Sequence, residues 1–383
     1  MVFEKYIQNY IEEFNHLDRK FWNYEDGCVL IGLQAMYEAS EDSFYYQAIQ
    51  NYIDRYVQED GAIRYYDKEE YNLDRIPSGR VLFLLYERTG QPKYRLALER
   101  LMEQLREQPR TGCGSFWHKK IYPFQIWLDG LYMGMPFYAL YEKQFGNGTG
   151  YQDIVHQFEN AKKYLYDEKT GLYYHGYDEK KELFWADPET GLSKNIWSRA
   201  LGWYLMALID CYEIMPQTES ESRSVLKKLY QNLVDAVLRC QDKETGLFYQ
   251  LTVLPYEKGN YLETSSSVMF AYAILKGYRL GLLDLFYRGK GEEILIALET
   301  RKFVCSYGEL KLDGMCVGAG LGPENNRRRD GSAAYYLSER VVSDEQKGSG
   351  IAMMAYSEWL KIKKEKNGTY CSHPAVKIYN DGY

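Results

Sequence analysis

The sequence predicts an all-α fold, an (α/α)6 toroid in which six inner helices form a ring inside six outer helices. Two observations predict it: six segments that are apolar on nearly every side recur along the chain, and charged amphipathic segments separate them. A helix that is apolar all round has to be buried, whereas an amphipathic helix keeps one face in water. A closed ring buries all six apolar helices, which a linear stack of helical hairpins does not.

The six apolar segments each follow a polar loop and are expected to be the inner helices. They are 23–38, 73–90, 127–142, 197–213, 263–281 and 347–362. Segments such as 92–107, 151–167 and 220–242 carry apolar residues at helical spacing on one face only, so they predict outer helices. One inner helix, one outer helix and the connecting loop make up each repeat.

Three loops share an acidic, glycine-containing and tyrosine-rich pattern: 59–66, 167–176 and 242–251. A glycine turn between two short runs of strand-forming residues is typical of a β-hairpin. We therefore expect short β-hairpin loops at the mouth of the central cavity. Because no low-complexity linker interrupts the repeats, residues 1–383 are predicted to form a single (α/α)6 barrel domain.

The composition favours a carbohydrate over a nucleic acid. The chain has 39 tyrosines and 7 tryptophans among 383 residues, and amphipathic rings in such number suit a wet cavity that stacks on sugars, although they also line ordinary cores. The formal net charge of −7 argues against nucleic acid, because phosphate binding needs a basic face. The arginine run at 327–329 is interpreted as a solvated loop.

The location and cofactor predictions follow from patterns that the chain lacks. No stretch of about 18 apolar residues occurs, so no membrane span is predicted. The segment 1–17 is acidic and amphipathic, without the features of an export signal, which indicates a cytoplasmic protein. The cysteines and histidines show no metal-ligand spacing, so we expect neither a metal nor another cofactor. We expect a monomer or a weak homo-oligomer.

The candidate site lies where the inner helices begin. Every hairpin of a toroid enters the ring from the same side, so the first turns of the inner helices converge on one polar, aromatic cleft. The side chains predicted there are Tyr24, Asp74, Asp129, His175 on a preceding loop, Trp197, Arg199, Trp203 and Glu263. Such a cleft is the usual place for a saccharide.

Asp74 and Asp129 come from adjacent hairpins and could face each other across the floor of the cleft. A like charge close by, together with burial, would raise the pKa of one carboxyl above the usual value of about 3.9 and make it a proton donor. The alternative is that both carboxylates are helix caps, which the helix dipole also favours. The spacing alone leaves both interpretations open.

The charged and imidazole side chains of the cleft have the same two interpretations. His175 and His118 could orient a water or a substrate oxygen, or they could be satisfied structural residues. Arg199 at a helix N-terminus opposes the helix dipole and needs an anion. A uronate carboxylate would suit the guanidinium fork, and so would an internal partner such as Asp74 or Glu263.

The sequence resembles the unsaturated rhamnogalacturonyl hydrolases of glycoside hydrolase family 105 and, more distantly, the unsaturated glucuronyl hydrolases of family 88. The resemblance spans nearly the whole chain. Its most specific pieces are NLDRIPSG (72–79), FWHKKIYPFQIWLDGLYMGMPF (116–137), LYYHGYD (172–178), WSRALGW (197–203), TGLFYQL (245–251) and YLETSSSVMFAYA (261–273). It implies the six-hairpin toroid and a hydrolase that acts on lyase-generated pectin or rhamnogalacturonan oligosaccharides, without a metal or cofactor.

The same resemblance assigns roles to the candidate residues. Asp129 is the general acid and base that protonates C4 of a 4,5-unsaturated uronate and then takes a proton from the water that attacks C5, which yields a 4-deoxy-5-keto uronate. Asp74 holds sugar hydroxyls and keeps Asp129 protonated, and His175 helps to position the water. The residues assigned to substrate binding are Tyr24, Trp117, His118, Trp197, Arg199, Trp203 and Glu263, with Arg199 as the candidate for the uronate carboxylate.

Two other functions remain open at this point. An inverting glycosidase of the same toroid fold could use Asp74 and Asp129 as acid and base on saturated sugars, with the two carboxyl groups about 6.5–9.5 Å apart. A non-catalytic toroid could bind sugars without turning them over. Neither the leaving sugar nor the galacturonic or glucuronic type of the uronate follows from the sequence.

Overall fold

The computed structural model describes residues 2–17 and 19–366, so the end of the predicted domain, 367–383, lies outside the described residues. The described helices are α1 (Val2–His16), α2 (Tyr24–Ser40), α3 (Ser43–Tyr56), α4 (Val81–Thr89), α5 (Pro92–Glu107), α6 (Leu128–Phe145), α7 (Gly150–Leu165), α8 (Ser198–Ile214), α9 (Ser220–Arg239), α10 (Thr264–Arg279), α11 (Leu285–Arg301), α12 (Ala333–Ser338) and α13 (Gln346–Lys366). The strands are β1 (Gln125–Trp127), β2 (Gly176–Asp178), β3 (Phe303–Ser306), β4 (Glu309–Leu312), β5 (Met315–Cys316) and β6 (Val341–Val342).

Six helices form a closed inner ring. In order around the ring, α2, α4, α6, α8, α10 and α13 each pack against the next, and α13 packs against α2. The 3-10 turn Pro77–Arg80, which precedes the short helix α4, supplies much of the contact with α2 and α6. The helices α3, α5, α7, α9, α11 and α1 pack outside them. Side chains on all sides of α8 and α10 are buried, as their apolar sequences require. The predicted (α/α)6 toroid is confirmed.

The ring closes where its first and last helices approach each other through two glycines. A Cβ added at Gly32 of α2 would lie 2.5 Å from the carbonyl oxygen of Gly350 in α13, and one added at Gly350 would lie 2.4 Å from the carbonyl oxygen of Cys28. Any side chain larger than hydrogen would push the two backbones apart. This contact brings the starts of α2 and α13 together on the same side of the ring.

The second inner segment departs from the prediction at its beginning. Residues 73–90 do not form one helix: the 3-10 turns Leu73–Arg75 and Pro77–Arg80 come first, and α4 starts only at Val81. Pro77 occupies the first position of the second turn, where its missing N–H is tolerated. Asp74 therefore lies on a turn ahead of its helix, whereas Asp129 lies inside the first turn of α6.

The mouth end, the side of the ring where the inner helices begin, carries the loops predicted as hairpins. Single antiparallel bridges, Val57 with Ile63 and Tyr166 with Tyr173, close the first two, whereas 242–251 forms a turn whose strand partners lie outside it. After α7, Asp167 accepts hydrogen bonds from the backbone N–H and the hydroxyl of Thr170, and Gly171 follows with a φ of 77°. The same turn recurs at 242–246 and 187–191. Antiparallel pairing of β1 with β2 joins the loop before α6 to the loop that follows α7, and β5 pairs with β6 farther along the chain.

The far end of the ring, where the inner helices finish, holds a buried charged network. Asp210 accepts hydrogen bonds from Arg80 (2.9 Å), Lys276 (2.7 Å) and Tyr272 (2.6 Å). A cavity of about 360 Å³ opens beside it. In the part of the chain that the structure describes, no helix is long and apolar enough to cross a membrane.

Candidate active site

Asp129 lies in the first turn of α6, and its side chain is nearly buried, with the residue 9% exposed. Its Oδ2 atom has no hydrogen-bond partner among the described residues. This oxygen therefore does not cap the helix, although free N–H groups of the first turn are close by in sequence. Within the described residues, this buried carboxylate oxygen is left without a hydrogen bond.

The imidazole of His175 faces that oxygen. Its Nε2 atom is 3.1 Å from Oδ2 of Asp129, although the angle between them is too poor for a hydrogen bond. The backbone explains the proximity, because the N–H of Leu128 donates to the carbonyl of His175 and β1 pairs with β2 immediately beside it. Catalytic contacts are often loosely aligned before a substrate binds. His175 and Asp129 thus form a pair in this structure.

Asp74 is held as a charged carboxylate by two neighbours. Nζ of Lys119 is 2.6 Å from one of its oxygens, and Nε2 of His118 is 3.2 Å from the other. Burial alone would raise the pKa of Asp74, but the Lys119 ammonium and the His118 imidazole outweigh burial and hold this pKa well below its ordinary value. Asn72, not Asp74, caps the turn. Asp74 is therefore not the carboxyl group that stays protonated.

One aromatic block links the surroundings of the two carboxylates. The ring of His118 stacks on Trp127 at 4.9 Å, and Tyr122 stacks on the same indole at 4.6 Å. A Cβ added at Gly130, the residue after Asp129, would lie 3.3 Å from Nδ1 of His118. Since His118 also contacts Asp74, a single imidazole borders both acidic groups.

Arg199 and Glu263 belong to an internal network. Nη1 of Arg199 donates to the carbonyl of Cys316 and lies 3.8 Å from Glu263, and the arginine is 1% exposed. Glu263 caps α10 by accepting from the backbone N–H of Ser266. Of the two internal partners proposed for Arg199, Glu263 is the one that lies beside it.

The candidate aromatic side chains differ in how much of them reaches the surface. Trp197 and Trp203 are buried: Trp197 donates from Nε1 to Gln250, and Trp203 stacks on Tyr132 at 4.8 Å. Tyr24 and Trp117 are partly exposed. The two buried tryptophans thus support the site from behind, and the partly exposed rings are the ones that a sugar could contact without rearrangement.

Two neighbours of the candidate residues were not among the sequence predictions. Lys119 follows His118 in the motif FWHKK, so the motif could have drawn attention to it. Nothing in the motif indicates that Lys119 pairs with Asp74. Tyr336 lies 161 residues from His175 in sequence, yet its hydroxyl is 2.6 Å from Nδ1 of that histidine. No local pattern indicates such a contact. Within the described ranges, no three His, Cys, Asp or Glu side chains are grouped so that they could hold a metal ion.

Comparison with solved structures extends the resemblance in sequence to the whole fold. A family 105 glycoside hydrolase from C. acetobutylicum superposes with a TM-score of 0.89 at 43% identity, covering 94% of this chain and 99% of that one. The unsaturated glucuronyl hydrolase from Bacillus sp. GL1 has a TM-score of 0.62 at 14% identity, covering 93% and 90% of the two chains. The second likeness concerns the fold alone.

Curated proteins and a family model give the same result. Protein Atu3128 of Agrobacterium fabrum is 40% identical over 241 residues, which are 61% of this chain and 100% of that protein. The unsaturated rhamnogalacturonyl hydrolase YesR of Bacillus subtilis is 27% identical over 265 residues, 68% of this chain and 72% of YesR. The model of Glycosyl Hydrolase Family 88 matches residues 2–363. The chain therefore belongs to glycosyl hydrolase family 88 and is a glycoside hydrolase related to the family 105 enzymes.

Proposed function

We propose that this glycoside hydrolase removes a 4,5-unsaturated uronate from the non-reducing end of lyase-generated pectin or rhamnogalacturonan oligosaccharides by hydrating its vinyl ether. The observation that carries the proposal is the environment of Asp129: an almost buried carboxylate, with a partner-free oxygen 3.1 Å from His175. The name of YesR, which is 27% identical, supports the substrate class.

The proposed reaction begins with protonation of the alkene. Asp129 delivers its proton to C4, positive charge develops at C5 and the ring oxygen, and the resulting carboxylate takes a proton from the water that attacks C5. The product is a hemiketal, which opens, expels the remaining sugar and leaves a 4-deoxy-5-keto uronate. Positioned proton transfer contributes ~10²- to 10⁴-fold, so stabilisation of the developing charge has to supply the rest.

Asp74 is suited to stabilising the positive charge that develops on the sugar ring. Because Lys119 and His118 keep its pKa well below the ordinary value, it presents a negative charge throughout the neutral range. An ionised carboxylate can only accept hydrogen bonds, so Asp74 would receive them from sugar hydroxyls. Its charge would also favour the cationic transition state over the neutral substrate.

The uronate carboxylate needs a cation, and Lys119 is the better-placed candidate. The Lys119 side chain is 22% exposed, whereas that of Arg199 is 1% exposed and its Nη1 is already engaged by the protein. Lys119 could contact a uronate while it remains close to Asp74. Arg199 would then orient Trp197, whose ring lies 4.7 Å from its guanidinium carbon, and would support the site indirectly.

The alternative function, an inverting glycosidase for saturated sugars, would need one carboxylate as a strong general base. Asp74 is a poor candidate for that role, because a cation 2.6 Å away lowers its affinity for a proton. The proposal therefore favours hydration of an alkene, in which Asp129 alone moves both protons. We further propose that the enzyme acts in the cytoplasm as a monomer or weak homo-oligomer.

A substrate panel tests the proposed function. Lyase digests of rhamnogalacturonan, homogalacturonan, ulvan and glycosaminoglycan would each be incubated with the enzyme while the ultraviolet absorbance of the vinyl ether is followed. We expect the fastest loss of absorbance with the rhamnogalacturonan digest. Release of nitrophenol from a saturated aryl glycoside, with no absorbance loss in any digest, would show that the enzyme is an ordinary glycosidase instead.

A further inference from the structure

Tyr336 is the residue from which a further role can be derived. It lies on α12, in the stretch between β5 and β6, where no functional residue was predicted. Its hydroxyl is 2.6 Å from Nδ1 of His175, and both side chains are completely buried. The rings of Tyr336 and His175 also both pack on Trp197. This contact therefore has a fixed geometry and no access to bulk water.

The surroundings of the two groups favour one direction for this hydrogen bond. If Nδ1 of His175 carried a proton and donated it, the phenol proton of Tyr336 would have no acceptor among the described residues. If the phenol donates, its proton is satisfied by Nδ1, and the imidazole proton is on Nε2, 3.1 Å from the carboxylate oxygen Oδ2 of Asp129. Burial, with further contributions from Tyr335 and Asp129, raises the pKa of Tyr336 well above its ordinary value, so the phenol retains its proton.

We propose that Tyr336 is a positioning residue that donates its phenol proton to Nδ1 of His175 and so fixes the imidazole tautomer with its proton on Nε2. This inference rests on the proposed function only for its kinetic consequence. A neutral imidazole has one N–H and one lone pair, and the partner of one nitrogen decides which form is present. The Nε2–H group then lies 3.1 Å from Oδ2 of Asp129, although the two are too poorly aligned for a hydrogen bond in this substrate-free structure.

The tautomer determines which oxygen of Asp129 can carry the catalytic proton. An N–H group that faces Oδ2 leaves no room for a second hydrogen between the two atoms, so a protonated Asp129 carries its hydrogen on Oδ1. After the proton has moved to the alkene, the same N–H donates to the new carboxylate and stabilises its negative charge. Tyr336 thus acts through His175 on both states of Asp129 without touching the substrate.

The proposal is tested by nitrogen NMR of the substrate-free enzyme labelled with ¹⁵N-histidine. A His175→Gln variant assigns the resonance of His175 among the five histidines of the chain. We expect a neutral His175 with its proton on Nε2 in the wild type. A proton on Nδ1 in the wild type would overturn the proposal.

The Tyr336→Phe variant supplies the second measurement, and Tyr335→Phe is its matched control. Tyr335 is the adjacent residue, is also buried, and its hydroxyl accepts from the N–H of Gly320 instead of contacting His175. We expect Tyr336→Phe to release the tautomer and lower kcat by up to about 10²-fold, as for a displaced catalytic group. KM should stay within about twofold, because ground-state binding is retained.

The outcomes separate the two proposals. A Tyr336→Phe spectrum that still shows the proton only on Nε2, or an equal change in Tyr335→Phe, would overturn the role of Tyr336. Inactivity of the wild type on every unsaturated digest, with the expected tautomer present, would overturn the proposed function and leave the assignment of the hydrogen bond intact.

Discussion

The two ends of the inner ring both bury charged side chains, but they differ in how completely those side chains are hydrogen-bonded. At the far end, Asp210 accepts from three donors, and Lys276 also contacts Glu213 at 2.7 Å. At the mouth end, Oδ2 of Asp129 and Nε2 of His175 are buried without a hydrogen bond to any described residue. The same contrast extends to Nδ1 of His118 and Nε1 of Trp117 at the mouth.

This difference separates a structural network from a reactive site. An unsatisfied buried polar group costs about 1–3 kcal/mol, so a cluster of them is retained only where it has another use. Arg80 at the far end also has one unpaired nitrogen, Nη1, but its other terminal nitrogen bonds to Asp210. The mouth end is thus incomplete in a way that a bound sugar with several hydroxyls could complete.

The largest expected effect is on turnover, from Asp129→Asn at the mouth. The amide can neither deliver the proton nor accept one from water, so kcat should fall by at least ~10²- to 10⁴-fold. Thermal unfolding should be unchanged, because Oδ2 makes no hydrogen bond that the amide would lose. Absorbance loss and unfolding would be measured on the same preparations.

The control for that variant is Asp42→Asn, at the cap of α3. Asparagine and aspartate are equally good caps, so neither stability nor turnover should change. Wild-type kcat in Asp129→Asn would end the assignment of Asp129, and equal losses in both variants would indicate a general effect of the preparation.

The far end should respond in the opposite way, with a loss of stability and no specific loss of activity. Burial alone would raise the pKa of Asp210, but Lys276 and Arg80 outweigh it and keep the pKa below its ordinary value. Asp210→Asn leaves Arg80 buried without its anion and Lys276 with Glu213 alone, and breaking a buried ion pair in this way typically costs about 3–5 kcal/mol. Urea unfolding measures the loss. An unchanged free energy of unfolding would mean that the network is not structural.

The architecture of the ring could be predicted because its signal is local. Burial on all sides of α8 follows from its own apolar composition, and the turn at 167–171 follows from an aspartate, a threonine and a glycine at fixed spacing. The cap at Glu263 also has a local signal, because the N–H group that donates to its carboxylate belongs to Ser266, only three positions later. Such features depend on neighbours within one helical turn.

The partners in the site could not be predicted, because they come from distant parts of the chain. The carbonyl that Arg199 contacts is on Cys316, 117 residues away, and the phenol that His175 contacts is on Tyr336. The ionisation of Asp74 depends on the direction that the Lys119 side chain takes. Composition and spacing therefore supplied the candidate residues, whereas three-dimensional contacts decided which of them are paired.

Lys119→Met tests whether the Lys119 ammonium at the mouth end binds the carboxylate of the substrate. If Lys119 holds the uronate, KM should rise about tenfold or more, since a hydrogen bond to a charged group contributes about 1.5–3 kcal/mol. The neighbouring Lys120→Met is the matched control, because Lys120 is exposed and its ammonium donates to the carbonyl of Glu69, not to Asp74. Similar KM values for both variants would remove Lys119 from the binding site.

The same variant has a predictable pH dependence. The folded-state pKa of Asp74 lies below its unfolded value, so its charge stabilises the fold above the ordinary carboxyl pKa, and that contribution is lost as the pH falls through the folded value. Removal of the Lys119 ammonium raises the pKa of Asp74. The acid limb of kcat/KM should therefore move to higher pH in Lys119→Met and stay in place in Lys120→Met. An unmoved limb would show that Asp74 need not be ionised for turnover.

The smallest effect on binding is expected from Arg199→Lys, which decides whether Arg199 belongs with the internal network or with the substrate. Lysine keeps the positive charge near Glu263 but loses the Nη1 group that donates to both Cys316 and Ser265, so stability should fall by about 1 kcal/mol. KM should change less than in Lys119→Met. A larger rise in KM for Arg199→Lys, with unchanged unfolding, would restore Arg199 as the uronate-binding cation. The network of Arg199 and Glu263 would then belong to the substrate-binding site and would not be structural like the Asp210 network.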